Sequence, residues 1–384
     1  MADESQGRPT RREFLAAGAL TAVSAQAAAA QGPVRPPSPL EIPTQKARTE
    51  VQDGPPPSPL AADRRLGFAI VGLGELALGQ VLPAFGQCKF ARPTALVSGD
   101  RAKAEKVARE HGISPDHIYD YRTFDRIADD PTVDVVYIIL PNSMHLEYTV
   151  RAAKAGKHML CEKPMAVLSA ECEEMISACE KANRRLMIAY RCQYEPFNRE
   201  LIRLARSEEF GPLRLIEASN GQAQGSPDQW RQKKALAGGG SLPDVGIYCL
   251  NAARYVTGEE PVQVGAQIVT DTSDPRFKEV EDRVSFQLRF PSGVQANCQT
   301  FYSAHESRRC RGLAERGWID LDPAFAYHGL KLKTSHARGG AELSTEIKLS
   351  EKNQFALEMD HMAERVARNE PPRTPGRRAS RISA

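Results

Sequence analysis

The feature that most constrains the fold is an apolar run that ends in a glycine-rich turn. The segment "LGFAIVG" (66–72) is continuously apolar, as expected for a strand buried on both faces of a parallel sheet. Gly72, Gly74 and Ala77 then follow the G-x-G-x-x-G/A pattern, with a strand before it and helical spacing after it. The first glycine permits a tight turn, the second lets the backbone approach a pyrophosphate, and the small third residue lets the helix pack on the strand. This arrangement predicts a dinucleotide site whose pyrophosphate lies at the helix N-terminus.

The strand–helix unit then repeats, which predicts a doubly wound α/β fold. Strands are predicted at 93–98, 133–141, 158–164 and 185–190, and helices at 101–112, 145–156 and 168–183. Strands that alternate with helices indicate a parallel sheet with right-handed crossover connections. We therefore expect a Rossmann domain over residues 66–190.

The end of the second predicted strand carries the signal for cofactor choice. An NAD-selective site has an acidic residue there for the ribose 2′-hydroxyl, whereas this strand ends in Ser98. Arg101 and Lys103 follow closely and would suit a 2′-phosphate. Asp100 is the counter-argument, because its carboxylate could bind a free ribose, and both basic residues could simply be the solvated start of a helix. The pattern favours NADP over NAD.

Two polar stretches lie where strands of such a sheet end, which is where ligands bind in these folds. In "LPNSMH" (140–145), Pro141 breaks a strand and His145 lies at the start of a helix. His145 could orient a substrate or cofactor, or it could be a helix-terminus residue. In "CEKP" (161–164), Lys163 follows an apolar strand and precedes a proline, which favours extended geometry. A lysine so placed could polarise a carbonyl or hydroxyl beside a nicotinamide, although a surface ion pair is the alternative.

A third stretch, "GGGSLPDVGIYCL" (238–250), combines a helix start with an acid and a phenol. Ser241 is a suitable cap, and the early proline and Asp244 fit the first turn. Asp244 and Tyr248 are four residues apart and therefore share one helix face. A phenol beside a lysine and a carboxylate can pass a proton to a developing alkoxide. In isolation, Asp244 would be an ordinary N-terminal acid.

Five motifs together give a specific resemblance. "GLGELA", "PNSMH", "CEKPM", "YRCQYEP" and "AGGGSLPDVGIY" resemble the glucose–fructose oxidoreductase branch of the Gfo/Idh/MocA family, over residues 66–376. The resemblance implies that Lys163 is the catalytic lysine, Tyr248 the proton donor and acceptor, and Asp244 its orienting partner. Most members of the family have histidine in place of this tyrosine. The resemblance also implies cofactor-side roles for Tyr190, Arg191, Trp230 and Arg231. The predicted cofactor site further includes Leu73, Leu140, Asn142, His145, Glu162 and Lys163.

The resemblance implies a C-terminal α+β domain over residues 191–376, with a large and mainly antiparallel open sheet. Segments that fit its strands are found at 212–220, 261–269, 283–290, 294–303 and 317–322. The arginines of "SRRCRGLAERGW" (307–318) blur the pattern there. One face of this sheet is expected to cover the nicotinamide cleft, and the other resembles the dimerisation surface of the family. We therefore expect a homo-oligomer, either a dimer or a tetramer.

The N-terminal residues are expected to direct export rather than to join the fold. Arg11 and Arg12 precede a mild apolar run that ends near small residues, so residues 1–30 resemble a twin-arginine signal. The run is too short and too weakly apolar for a membrane anchor, and the alternative is a disordered alanine-rich tail. Residues 31–65 are rich in proline and form either a spacer or an extended arm on a neighbouring subunit. These features predict a periplasmic protein that the twin-arginine machinery exports in the folded state.

Composition argues against several other classes of protein. The formal net charge is only +3, without blocks of like charge, so no nucleic-acid partner is expected. The eight cysteines form no C-x-x-C pair and no cluster with histidine at metal-ligand spacing, so neither a metal nor a required disulfide is expected. Residues 377–384 are predicted to be a short tail. Because relatives of this branch continue with a helix that returns to the nucleotide domain, the C-terminus is expected to be truncated.

Export and a dinucleotide site together predict an unusual reaction cycle. A cofactor that cannot be replaced outside the cytoplasm must stay bound, and must therefore be reduced and reoxidised in one site. The leading prediction is an NADP-containing enzyme that oxidises a glucose-like aldose to its lactone and reduces a fructose-like ketose to a polyol. The alternatives are a sugar or inositol dehydrogenase that exchanges its cofactor, and a catalytically silent NADP-binding protein. The shortened C-terminus is the main support for the silent alternative.

Overall fold

Two β-sheets organise the part of the chain that the computed structural model describes, residue 61 and residues 64–380. One sheet has six parallel strands, and the other has eight strands that are mostly antiparallel. This confirms the predicted fold class, a Rossmann-type parallel sheet joined to an α+β domain with a large open sheet. The predicted export signal and almost all of the predicted proline-rich segment lie outside the described residues.

The parallel sheet has the strand order β3-β2-β1-β4-β5-β6. Its strands are β1 Leu66–Val71, β2 Ala91–Val97, β3 Ile118–Tyr119, β4 Val135–Ile138, β5 His158–Glu162 and β6 Leu186–Ala189. Strands β1 and β4 are almost entirely buried, because side chains pack against both faces of the sheet. The strand order reverses between β1 and β4, and such a reversal opens a crevice at the carboxyl ends of the strands, where ligands bind.

Helices cover both faces of this sheet. They are α1 (77–87), which begins as a π-helical turn, α2 Arg101–His111, α3 His145–Lys154 and α4 Ser169–Lys181. Helix α2 has the start and stop that its sequence predicts, because the Asp100 carboxylate caps its first turn and Gly112 ends it in the left-handed conformation. No helix among the described residues is both long enough and apolar enough to cross a bilayer.

The second sheet has the order β14-β13-β12-β11-β7-β10-β9-β8. Its strands are β7 Leu213–Gly221, β8 Gln263–Val269, β9 Arg283–Arg289, β10 Gln295–Phe301, β11 Ser307–Ala314, β12 Gly317–Leu321, β13 Leu332–Arg338 and β14 Ala341–Ile347. Neighbouring strands are antiparallel except β7 and β10, which run parallel. The helices of this domain are α5 Pro196–Arg206, α6 Lys234–Ala237 and α7 Ile247–Thr257. Helices α5 and α7 pack on one face of the sheet, and the exposed positions of β9 and β10 line the other.

Strand β11 forms where arginines obscure the sequence pattern. Cys310 is buried, whereas Arg309 and Arg311 on either side of it are half-buried. Arg309 Nε donates to Asp320 Oδ1 on β12 (2.8 Å), and the Arg311 guanidinium carbon lies 4.5 Å from the centre of the Trp318 ring. The two-residue alternation of a strand is therefore intact, with the arginines held by β12. Strand β14 is exposed at nearly every position, so β13 and β14 form a hairpin that apolar alternation does not predict.

The C-terminal residues return to the parallel sheet. Helix α8, Gln354–Ala367, buries Phe355, Met359 and Met362 in the core that also contains α1 and β1. A last helical turn, α9 Gly376–Ser380, packs against α4 and β6. The predicted tail, residues 377–384, begins inside α9, so that prediction is wrong for residues 377–380. Helix α8 packs on the first domain because the spacing of its three buried side chains creates an apolar face. The expectation of a truncated C-terminus stays a prediction.

Asp360 ties α8 to the first domain, so its substitution tests this docking. Its carboxylate is 9% exposed and accepts hydrogen bonds from the backbone N–H groups of Lys89 (2.8 Å) and Phe90 (2.8 Å). We expect Asp360→Ala to lower the free energy of unfolding by about 2–3 kcal/mol, because it leaves these donors unpaired. Asp360→Asn should lose less, because its amide oxygen still accepts. Urea unfolding measures both against exposed Glu110→Ala, and equal stabilities of the alanine variants would contradict the role of Asp360.

Candidate active site

The two domains meet at an ion pair between Lys163 and Asp244. Lys163 directly follows β5, at the carboxyl edge of the parallel sheet, and Asp244 lies in the π-helical turn Leu242–Gly246 that leads into α7. Lys163 Nζ is 2.9 Å from Asp244 Oδ1 and 2.6 Å from the Asp244 backbone oxygen. The predicted catalytic lysine and its predicted acidic partner are therefore in direct contact.

Asp244 has two further partners on its other carboxylate oxygen. Tyr302 donates its hydroxyl hydrogen to Oδ2 (2.6 Å), and Arg231 Nε lies 3.1 Å from the same oxygen. Burial by itself would raise the pKa of Asp244, but the charges of Lys163 and Arg231 and the Tyr302 hydrogen bond hold it well below its usual range. The carboxylate is therefore ionised at neutral pH although little of it is exposed. The Arg231 guanidinium carbon also lies 4.6 Å from the centre of the Trp230 ring, which places both residues beside the site.

A glutamate from the second sheet fixes the turn that carries Asp244. Glu281 accepts from the backbone N–H of Gly240 (2.7 Å) and of Leu242 (3.0 Å). A Cβ on Gly240 would lie 2.0 Å from the Glu281 carbonyl oxygen, so this close approach requires glycine. Ser241 lies at the predicted N-cap position, but its side chain makes no capping hydrogen bond. Glu281 takes that place because β9 begins beside the turn.

Tyr248 lies one helical turn after Asp244 and faces the same lysine. Lys163 Nζ is 5.0 Å from the centre of the phenol ring, and Arg191 Nε donates to the phenol oxygen at 3.2 Å. Burial raises the pKa of Tyr248 above its usual value, although Arg191 opposes the shift. Tyr248 is therefore a protonated phenol at rest, with a cation placed to stabilise the anion that forms when the proton leaves.

Arg191 is held rigidly beneath Tyr248. Its side chain is buried, and Nη1 donates to Gln354 Oε1 on α8 (2.5 Å) while Nη2 donates to the carbonyl oxygen of Phe325 (2.7 Å). The resemblance implies a cofactor-side role for Arg191. In the structure, its Nε instead donates to the Tyr248 hydroxyl, so Arg191 supports the phenol. The neighbouring Tyr190 is buried within the first domain.

Buried acids lie behind Lys163. Glu162 accepts from the Tyr137 hydroxyl (2.8 Å) through Oε1 and from the Lys163 backbone N–H (3.2 Å) through Oε2, and burial raises its pKa despite the charge of Lys163. Glu358 of α8 is wholly buried, and neither of its carboxyl oxygens has a hydrogen-bond partner among the described residues. Burial, together with the charge of Glu162, raises the pKa of Glu358 well above its usual range. Burial thus disfavours ionisation of Glu358, and the sequence does not predict this residue.

The loop after β4 supports the site instead of opening into it. His145 is wholly buried, and its two ring nitrogens lie 2.9 Å from the carbonyl oxygens of Leu140 and Pro164. It therefore connects the loops that follow β4 and β5 and helps to position Lys163. Asn142 is also buried, and its Nδ2 donates to a carbonyl oxygen at the end of α6 (2.8 Å). The side chains of His145 and Asn142 therefore contact backbone carbonyl oxygens and hold the loops around the site.

The glycine-rich turn after β1 leaves room for a pyrophosphate. Gly72 has a φ of +96°, and a Cβ there would lie 2.4 Å from the Ile139 carbonyl oxygen, so the turn requires glycine. A Cβ on Gly74 would meet no described atom within 4 Å, which leaves its outer side open to a ligand. Leu73 and Ala77 are buried and anchor the turn. These residues fit the diphosphate of a dinucleotide at the start of a helix.

The end of β2 is where the sequence predicts a 2′-phosphate site. Ser98 is buried, and its Oγ accepts from the backbone N–H of Asp100 (3.1 Å). The Asp100 carboxylate accepts from the Lys103 backbone N–H (2.9 Å), so it caps α2 and is not committed to a ribose. The Lys103 side chain is exposed. Arg101 pairs with Glu105 through Nε (2.7 Å) and donates to the Ile118 carbonyl oxygen through Nη1 (3.0 Å), so it must turn to reach a phosphate.

Tyr302, Glu281 and Glu358 belong to the site, yet the sequence predicts none of them. Tyr302 and Glu281 lie at strand ends, where the alternation gives them no distinction. Glu358 does carry a signal, because an acid between Phe355 and Met359 lies within the apolar face of a helix. Within the described residues no group of three or more His, Cys, Asp or Glu side chains could hold a metal.

Comparisons with known proteins agree with this geometry. Residues 66–190 match an oxidoreductase family with an NAD-binding Rossmann fold, and residues 198–320 match the GFO/IDH/MocA C-terminal domain. The chain is similar to D-xylose 1-dehydrogenase (NADP(+)) of Haloarcula marismortui, with 33% identity over 74% of this chain and 80% of that protein. It is also similar to D-xylose 1-dehydrogenase (NADP(+)) 2 of Haloferax volcanii, with 30% identity over 67% and 76%. The crystal structure of aldose-aldose oxidoreductase from Caulobacter crescentus in complex with glycerol is 48% identical, with a TM-score of 0.80 over 83% of this chain and 94% of that one.

The ionisation of Asp244 makes a testable contribution to stability. Asp244→Asn should lower the free energy of unfolding at neutral pH by about 3 kcal/mol, because it leaves Lys163 and Arg231 without their counter-charge. Since the pKa of Asp244 is lower in the folded than in the unfolded state, this stabilisation is complete above about pH 4 and declines as the pH falls further toward the folded value. The difference between wild type and Asp244→Asn should therefore narrow in acid.

Urea unfolding between neutral pH and about pH 3 measures this difference. Asp228→Asn is the matched control, because Asp228 is exposed and its substitution should change little at any pH. A difference that stays constant or widens as the pH falls would contradict the proposed ionisation.

Proposed function

The chain belongs to the GFO/IDH/MocA oxidoreductase family, and we propose that it is an NADP-containing sugar oxidoreductase that runs two half-reactions in one site. In the first, an aldose is oxidised to its lactone and the cofactor is reduced. In the second, the carbonyl group of another sugar, a ketose or an aldose, is reduced to the alcohol and the cofactor is reoxidised. The cofactor remains bound throughout the cycle.

One observation carries this proposal. Lys163, Asp244 and Tyr248 lie together at the carboxyl edge of the parallel sheet, on which the dinucleotide turn at Gly72 also lies. A bound nicotinamide supplies hydride acceptance and donation at this edge. The side chains supply what remains, which is the movement of one proton and the stabilisation of a developing alkoxide.

The proton chemistry follows from the state of Tyr248. When a carbonyl is reduced, the Tyr248 phenol donates its proton to the new alkoxide oxygen, and Arg191 and Lys163 stabilise the resulting phenolate. When a hydroxyl is oxidised, the resting phenol first releases its own proton to solvent, and the phenolate then takes the hydroxyl proton by microscopic reversibility. The hydroxyl proton released in one half-reaction is thus the proton that the other consumes. Asp244 orients Lys163 in both directions.

The choice of NADP has two supports. The Asp100 carboxylate is engaged with its own helix, which leaves the Ser98 end of β2 without an acid committed to a ribose 2′-hydroxyl. The two xylose dehydrogenases to which the chain is similar are named as NADP(+) enzymes. Lys103 and a turned Arg101 would then bind the 2′-phosphate.

The sugars are aldoses in the names of the similar proteins. The aldose-aldose oxidoreductase name favours an aldose as the second substrate alongside the fructose-like ketose that the sequence resemblance implies. We also propose that the protein is exported by the twin-arginine route to the periplasm, and that the exposed face of the eight-stranded sheet forms a dimer or tetramer. Retention of the cofactor suits an exported enzyme, because the cofactor cannot be replaced outside the cytoplasm.

Cofactor retention can be tested on purified protein with no nucleotide added. After thorough desalting, glucose is expected to raise the absorbance of reduced nicotinamide, and fructose or a second aldose added afterwards should lower it. Xylose is included as an alternative first sugar because of the similar dehydrogenases. Protein that contains no nucleotide and is active only with added NADP would support the ordinary dehydrogenase. Bound nucleotide that no sugar reduces would support the silent binding protein.

Two substitutions test the assigned roles. Tyr248→Phe removes the proton donor and is expected to lower kcat by about 100-fold or more, with the bound cofactor retained. Lys163→Ala should cause a similar loss. Lys154→Ala is the control, because Lys154 is an exposed residue at the end of α3. Full hydride-transfer rates in Tyr248→Phe or Lys163→Ala would show that the assigned roles are wrong.

A further inference from the structure

Tyr302 is the one donor to Asp244 among those described above that is both neutral and wholly buried. It directly follows β10, and its hydroxyl lies 2.6 Å from Asp244 Oδ2. Lys163 and Arg231 are charged and retain some exposure. Tyr302 therefore offers Asp244 a hydrogen bond whose geometry the solvent does not disturb.

The backbone of Tyr302 is itself clamped. Its N–H donates to the carbonyl oxygen of Asp282 (3.1 Å) and more weakly to Asp282 Oδ1 (3.3 Å), and its carbonyl oxygen accepts from the backbone N–H of Gln224 (2.8 Å). Asp282 is almost completely buried, and its Oδ2 also accepts from the Ser303 hydroxyl (2.7 Å). The phenol is thus fixed from the second sheet, independently of the helix that carries Asp244.

This arrangement divides the two oxygens of Asp244 between two tasks. Oδ1 faces Lys163 Nζ, while Oδ2 lies between the Tyr302 hydroxyl and Arg231 Nε. The Arg231 side chain is about one-third exposed, so it is the less rigid of the two partners on Oδ2. If the Tyr302 hydroxyl were absent, rotation of the carboxylate toward Arg231 would weaken its contact with Lys163.

We propose that Tyr302 is a positioning residue for hydride transfer: its hydroxyl holds the Asp244 carboxylate so that Oδ1 faces Lys163. The role rests on the proposed function, because it acts through the two residues that carry it. A phenol hydroxyl buried for packing alone would be costly, whereas this one is satisfied by the carboxylate. Burial and the charge of Asp244 raise the pKa of Tyr302 well above its usual range, which keeps it a donor at every pH of interest.

A double-mutant cycle tests the proposal in the full-length protein. The variants are Tyr302→Phe, Asp244→Asn and the double variant, with the rate of sugar-dependent cofactor reduction, the KM for the sugar and the cofactor content measured for each. Tyr302→Phe alone should lower the rate by about 10- to 100-fold, as expected for a hydrogen bond to a charged group, with KM and cofactor content almost unchanged. In the Asp244→Asn background the same substitution should have no further effect, because the carboxylate it positions is gone.

Tyr119→Phe is the matched control. Tyr119 is also a buried tyrosine whose hydroxyl donates to a buried carboxylate, Asp130 Oδ2 (2.9 Å), but this pair lies at the β3 edge of the parallel sheet. It should therefore lose stability comparable to that of Tyr302→Phe while keeping its hydride-transfer rate. Thermal unfolding of both variants separates a loss of stability from a loss of positioning.

The outcomes distinguish a failure of the positioning role of Tyr302 from a failure of the proposed function. An active wild type in which the losses from Tyr302→Phe and Asp244→Asn multiply in the double variant would overturn the positioning role and leave the proposed function standing. The positioning role alone is also overturned if Tyr302→Phe keeps the full rate, or if Tyr119→Phe loses as much rate as Tyr302→Phe. A wild type that transfers hydride from no sugar would overturn the proposed function and the positioning role together.

Discussion

The site depends on one buried carboxylate. Asp244 is ionised with little exposure, and a buried charge is tolerable only when cations and hydrogen-bond donors surround it. Its partners come from separate parts of the chain: Lys163 from the end of the parallel sheet, Arg231 from the loop after β7, and Tyr302 from the end of β10. No single element satisfies Asp244, and among these three partners Lys163 is the one that comes from the first domain, so its ion pair with Asp244 joins the two domains.

Arg191 is the second buried charge of the site. It holds the Tyr248 phenol in place, as Lys163, Arg231 and Tyr302 hold the Asp244 carboxylate. It joins Tyr248 to Gln354 on α8, and α8 in turn packs on the first domain through Phe355 and Met359. Tyr248, the proposed proton donor, is therefore held through Arg191 by the same helix that packs on the parallel domain. Damage to the packing of α8 would therefore reach the phenol through Gln354 and Arg191.

The parts of this design that the sequence reveals are those that local spacing encodes. The turn at Gly72, the lysine after a buried strand, and an acid and a phenol four residues apart are each legible within a few residues. The remaining partners are brought together only by the second sheet: Tyr302 follows a strand whose register is set by pairing, and Glu281 replaces the predicted Ser241 cap because β9 begins there. Periodicity shows which face of a strand is buried, but not which distant polar group that face meets.

The charges of the site also explain why a tyrosine suits it. Lys163, Arg231 and Arg191 bring three positive charges, which exceed the charges of the Asp244 and Glu162 carboxylates even when both are ionised. A phenol that loses its proton becomes an anion and relieves this excess. A histidine that gained a proton at the same position would add to it. The surplus of positive charge is thus matched to a donor that ends its step negatively charged and to an alkoxide that develops beside it. Preorganised cations of this kind stabilise a developing alkoxide in the direction of reduction and in the direction of oxidation alike.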